Sequence, residues 1–124
     1  MESLPGDKLM PFREEAILPG IQTVELFGHT PGHSGYLLGD EKESLLIWGD
    51  IVHFPHVQIA QPEVTIAFDS DPVAAAAVRG KLLDRAASDN LAVSGMHFNL
   101  PTTGKVVRDG SSYALNYDLW SPAV

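Results

Sequence analysis

The sequence predicts an α/β (α+β) domain, a mixed sheet carrying one long helix, and three stretches predict it. Residues 34–39 and 45–48 are apolar runs on either side of the polar Asp40-Glu41-Lys42-Glu43, a strand–turn–strand pattern. Asp69-Ser70-Asp71-Pro72 then opens a helix, with a capping side chain followed by proline, whose missing N–H costs nothing in the first turn. Residues 105–108 and 112–117 flank Asp109-Gly110, a tight-turn pair that makes a second hairpin.

The other elements follow from local chemistry. Residues 1–14, with Pro5, Gly6 and Pro11, read as an N-terminal arm or linker, and residues 15–124 as the domain. Residues 16–18 form a short strand stopped by Pro19-Gly20, and the β-branched run 21–27 a longer one. Residues 50–62 are a long connection holding His53 and His56, and residues 64–68 a short strand. The helix runs to about Ser88. Val73, Ala76, Ala77, Leu83 and Ala87 make its buried stripe, and Arg79, Lys81, Asp84 and Arg85 its wet side. Gly80 weakens it slightly and allows close packing. Residues 91–93 are a strand. Leu45-Leu46-Ile47-Trp48 shows no polar alternation, so that strand needs cover on both faces, yet the chain offers one long helix. An exposed apolar face that calls for a partner is expected.

Composition bounds the function. At 124 residues, 44% apolar and 19% charged, the chain is one globular domain at most. A formal net charge of −8 argues against nucleic acid and against anionic membrane surfaces. Cysteine is absent, so disulfides and thiolate metal sites are impossible, and any metal must rest on His, Asp or Glu. No apolar run is long enough to span a bilayer, and the N-terminal residues lack the pattern of a secretory signal, so the expected location is cytoplasmic.

Chemistry gathers at one end of the first hairpin. Gly28-His29-Thr30-Pro31-Gly32-His33 precedes it, and its second strand ends in Trp48-Gly49-Asp50. A right-handed strand–helix–strand crossover would lay 91–93 parallel to 45–48, so that Asp50 and His97 both leave carboxyl ends of strands, where α/β sheets place ligand sites. Taken singly, each residue also has a structural reading. Asp50 could bond a turn, His97 could donate to a carbonyl, and the His29/His33 loop could be a plain Pro-Gly turn. Their convergence on one edge favours a metal site. His53 and His56 read as surface residues or neighbours of the site, and Trp48 and Trp120 as packing anchors.

The runs His29-Thr30-Pro31-Gly32-His33-Ser34-Gly35-Tyr36, Trp48-Gly49-Asp50-Ile51-Val52-His53 and Gly95-Met96-His97 resemble the carboxyl-terminal half of the metallo-β-lactamase-fold hydrolases. The subgroup of methyl parathion hydrolases and lactonase-like enzymes is the nearest in look. The likeness covers residues 17–113 and includes Phe68-Asp69-Ser70-Asp71. It implies half of an αββα sandwich and a site with two metals, usually zinc. His29 would bind the first metal, Asp50 would bridge both and serve catalysis, and His97 would bind the second. His33 and His53 would line the pocket behind the ligands. The family's upstream His-x-His-x-Asp-His motif is absent, so at most one Zn2+ or other divalent ion is expected here. Residues 98–104 also differ from the family's Pro-Phe-Pro-Gly pattern.

Three functions are open on these grounds. One is a metal-dependent hydrolase whose activated water attacks an ester, a lactone or a phosphotriester, with a small molecule as partner. The second is an inactive half-domain that binds metal or self-associates, as a homodimer or with a missing N-terminal half. The third is a mononuclear metal-binding protein using His29, Asp50 and His97, with open coordination positions.

Overall fold

Seven strands lie side by side in one sheet in the order in which they occur along the chain. The computed structural model describes residues 10–13, 15–40 and 42–119. Trp120 and most of the expected N-terminal arm lie outside the described residues. The strands are β1 (Ala16–Leu18), β2 (Ile21–Glu25), β3 (Ser34–Gly39), β4 (Ser44–Ile47), β5 (Ala92–Ser94), β6 (Thr103–Asp109) and β7 (Ser112–Tyr117). Every neighbouring pair is antiparallel except β4 and β5, which run parallel. That one parallel pair needs a crossover, which residues 48–91 supply with a single helical turn, α1 (Pro55–Gln58), and the long helix α2 (Pro72–Ser88). The mixed sheet with one long helix is the fold class expected from the sequence.

Cross-strand register sorts the side chains between two faces. Gln22, Leu37, Leu46, Val93, Gly104 and Tyr117 are successive partners across the sheet and share one face. Helix α2 covers that face, and Leu46, Trp48 and Val93 are fully buried in the core beneath it, with Leu82, Leu83 and Val106. The opposite face carries Ile21, Leu38, Leu45 and Ala92 in one row and Tyr36 and Ile47 in the next. These six side chains are only half-buried. Residues 10–13 cross its margin, where the Phe12 ring lies 6.4 Å from that of Tyr36 and Thr23 donates to the Arg13 carbonyl.

Helix α2 starts where capping chemistry places it. The Asp71 carboxylate accepts from the Ala74 N–H at 3.0 Å, and Pro72 follows. Its buried stripe differs from the sequence expectation. Ala75, Arg79, Leu82, Leu83 and Ala86 are the buried residues, while Val73 is 81% exposed. Alanines 74–77 give the apolar pattern no phase, and the buried guanidinium of Arg79 decides the face through bonds that periodicity does not show. A Cβ on Gly80 would meet nothing within 4 Å, so no close packing depends on it.

Residues 64–68 do not form the expected strand. Their backbone groups are engaged elsewhere. The Val64 carbonyl accepts from Gln58 and Arg79, and the Ile66 N–H donates to Asp69. Strand β2 stops at Glu25 because the His33 N–H donates to the Thr30 carbonyl and not back to Leu26, which closes the loop that bears both histidines.

Candidate metal centre

The loop between β2 and β3 is held against the start of α2. The Ser70 and Asp71 N–H groups donate to the His29 and Gly28 carbonyls at 3.0 and 2.9 Å. Gly28 has φ +133°, and a Cβ there would collide with the backbone of Ala75. This close approach sets His29 in place. Its Nδ1 lies 3.0 Å from Oδ1 of Asp69, a carboxylate almost wholly buried. An acceptor on that side assigns the proton to Nδ1 and leaves the Nε2 lone pair free. Nε2 points to Asp50, 3.7 Å from Oδ2.

Asp50 stands just past the end of β4. Its backbone N–H donates to His33 Nε2 at 3.0 Å, and His33 Nδ1 donates to the Leu26 carbonyl at 3.1 Å. The two bonds fix the neutral tautomer of His33. Between these residues Gly49 has φ +60°, and a Cβ there would meet His33 Nε2 at 2.7 Å. Burial pushes the His33 pKa below its ordinary value, against the opposing effect of the Leu26 bond. A ring used as an acceptor must be neutral, so burial and bonding agree.

His97, just past β5, places Nε2 3.3 Å from Oδ1 of Asp50. His53 closes the group. Its ring centroid is 3.7 Å from that of His97 and 5.9 Å from that of His29. Ligand atoms of Asp50, His53 and His97 lie within 4.8 Å of one another. Burial, and then the neighbouring His97, lower the His53 pKa. Its Nδ1 is buried without a hydrogen-bond partner among the described residues. The structure thus brings His29, His53 and His97 around one carboxylate and sets His33 behind it. His56, on α1, is exposed and apart from the group. Trp48 is packed in the core with its ring edge-on to Phe98, 5.4 Å away.

Three further residues build the centre, and sequence reasoning passed over them. Asp69, taken for part of a helix start, orients His29. Gln58 is fully buried, and its Oε1 accepts from the N–H groups of His53 and Phe54 at 2.7 and 2.9 Å. Arg79, assigned to the wet side of the helix, is 0% exposed. Arg79 stands between Val78 and Gly80 and shares the helix with Arg85, so no local signal set it apart.

These donors suit a divalent cation. Three imidazoles offer ring nitrogens around one carboxylate, the carboxylate supplies negative charge, and one buried ring nitrogen of His53 lacks a partner among the described residues. With no thiolate, the set matches zinc or a similar borderline ion.

No protein-family model matches the sequence, and no curated protein matches it. Solved structures do. Hydrolase AbOPH, of the beta-lactamase superfamily, is 31% identical over 90% of this chain and 38% of its own, with a TM-score of 0.82. The fold is a portion of the metallo-β-lactamase fold. AidC, a dizinc quorum-quenching lactonase solved with N-hexanoyl-L-homoserine as product, superposes on it with a TM-score of 0.86 at 20% identity, covering 94% of this chain and 40% of its own. A probable metal-dependent hydrolase from Staphylococcus aureus gives 0.72 at 20% identity, over 92% and 42% of the two chains. The chain therefore spans about two fifths of the length of the metallo-β-lactamase-fold structures it matches. No helix among its described residues is long and apolar enough to cross a membrane.

Proposed function

We propose that this chain carries the metal-holding edge of a metal-dependent hydrolase of the metallo-β-lactamase superfamily, acting on an ester, a lactone or a phosphotriester. The observation that supports this reading is the gathering of His29, His53 and His97 around Asp50 at the carboxyl ends of β4 and β5. His29, Asp50 and His97 would hold one Zn2+ or similar ion, with the His53 ring alongside. Such an ion, when bound, supplies hydroxide near neutral pH and polarises the bond under attack.

The chain's own residues supply orientation and a surface for substrate. Asp69 fixes the tautomer of His29, and His33 fixes the backbone of Asp50. Phe54, Phe68 and Met96 are all more than half exposed, and the first two rings lie within 6.2 Å of His53. Their apolar surface favours an uncharged substrate with an apolar group.

Metal content of gel-filtered protein tests the reading. Near-stoichiometric zinc that is lost in Asp50→Asn and His97→Ala supports it. Protein that takes up no zinc on addition overturns it.

A second reading, a self-associating module, rests on the half-buried apolar face of Tyr36, Leu38, Leu45 and Ile47. A second copy is the cover this chain can provide by itself. A solution mass of two chains at micromolar concentration supports it, and a mass of one chain sinks it.

A further inference from the structure

We propose that Arg79 is a positioning residue for the metal centre, one guanidinium that sets His29, Asp50 and His53 relative to one another. It rests on the hydrolase reading only for the zinc affinities below. Arg79 projects from the middle of α2 beneath the crossover loop and is wholly buried. Its Nε donates to the Ile51 carbonyl at 2.6 Å, the residue next to Asp50. Its Nη1 donates to the Pro62 and Val64 carbonyls at 2.7 and 2.8 Å. Its Nη2 lies 3.6 Å from Oδ2 of Asp69, whose Oδ1 receives the His29 Nδ1 proton. The Val64 carbonyl is shared with Gln58, which holds the His53 N–H.

Three of the four contacts, to Ile51, Val64 and Asp69, end on groups that lead directly to Asp50, His53 and His29, and the fourth, to Pro62, ties down the same crossover loop. A guanidinium has five donors in a rigid planar fork, so its four partners fix its plane and it fixes their separations. Through Asp69 the same fork reaches His29, whose Nδ1 is held by that carboxylate so that Nε2 turns toward Asp50. Solvation alone would not require this arrangement. A buried guanidinium calls for a carboxylate and carbonyl acceptors, but not for acceptors from a loop bearing site residues or for the one carboxylate that holds His29.

Lysine separates positioning from filling space. Its ammonium is one charged point on a flexible stem and cannot hold three carbonyls and a carboxylate together. The experiment compares wild type, Arg79→Lys, Asp69→Asn and the double variant by zinc titration and by nitrogen-resolved NMR of the histidine rings. The expected result is a zinc affinity about 10- to 100-fold weaker in Arg79→Lys, the range seen when an outer partner of a ligand is lost. It comes with loss of the slowly exchanging His29 Nδ1 proton and faster exchange of the His53 amide. The double variant should be no weaker than the weaker single one. Arg79→Lys that melts earlier yet keeps wild-type zinc affinity, His29 proton and His53 protection overturns the proposal. If even the wild type takes up no zinc, the hydrolase reading fails, and the His29 and His53 signals still decide the role of Arg79. If Arg79→Lys does not fold, the wild-type guanidinium protons decide it. Separate, slowly exchanging Nη resonances support the clamp, and collapsed, freely rotating ones overturn it.

Discussion

The backbone N–H of Asp50 donates to His33 Nε2, so the central carboxylate is held by a ring from the far side of its own hairpin. This bond is sequence-distant but spatially short, because β3 begins where β4 ends. Removing the ring in His33→Ala leaves the Asp50 N–H and the Leu26 carbonyl without their partner. A loss of about 1–3 kcal/mol in urea unfolding is expected, with roughly tenfold weaker zinc binding. Zinc affinity unchanged by the substitution would remove His33 from the site's support.

Acid should loosen the same corner. The pKa values of His33 and His53 both lie below the ordinary 6.5, chiefly through burial. A depressed histidine pKa means that the unfolded chain binds the proton first as pH falls. The stability contributed by the neutral rings is thus present above about pH 6.5 and is lost as pH drops through the unfolded value toward the lower folded one. Melting temperature should therefore fall as pH drops from about 7 through 6.5 and below. Thermal scans across that range check it, and His33→Ala should flatten part of the fall.

Gln58 supports the loop on which His53 stands. Gln58→Met keeps the volume and deletes the amide, leaving the His53 and Phe54 N–H groups unpaired. The expected cost is about 3 kcal/mol by chemical denaturation, because a buried donor without a partner carries its full desolvation penalty. The His53 amide should become the most affected site in hydrogen exchange.

Two glycine substitutions should move stability in opposite directions. Gly28→Ala forces a methyl group into the backbone at Ala75 and disfavours the φ of +133°. It should destabilise by about 3 kcal/mol or more. Gly80→Ala meets nothing within 4 Å inside α2 and should stabilise by about 0.5–1 kcal/mol. Paired melting curves test both.

Much of the fold was legible because its signals are local. The polar break at residues 40–43, the cap at Asp71 and the turn at Asp109-Gly110 act within a few residues, and each element formed where its signal stood. The parallel return of β5 beside β4 followed from the handedness of crossovers. What escaped was long-range polar bonding. The face of α2 was misread because Arg79 finds its partners at Ile51, Pro62 and Val64. The expected strand at 64–68 is absent because Gln58, Asp69 and Arg79 take its hydrogen-bonding groups. His53 was placed behind the ligands, whereas its ring lies against His97 beside Asp50. Periodicity reports apolar faces and is silent on which buried polar groups will meet.

Strand order that follows chain order has a practical side. The segments bearing the site histidines and Asp50 leave one rim of the sheet, and the other rim carries short reversals at residues 19–20 and 110–111 and the return from α2 to β5. New sequence grafted into those reversals would lengthen the molecule away from its chemistry. They are the natural points for joining tags, reporters or a permuted terminus, while the reactive rim can be diversified by loop libraries on an unchanged scaffold.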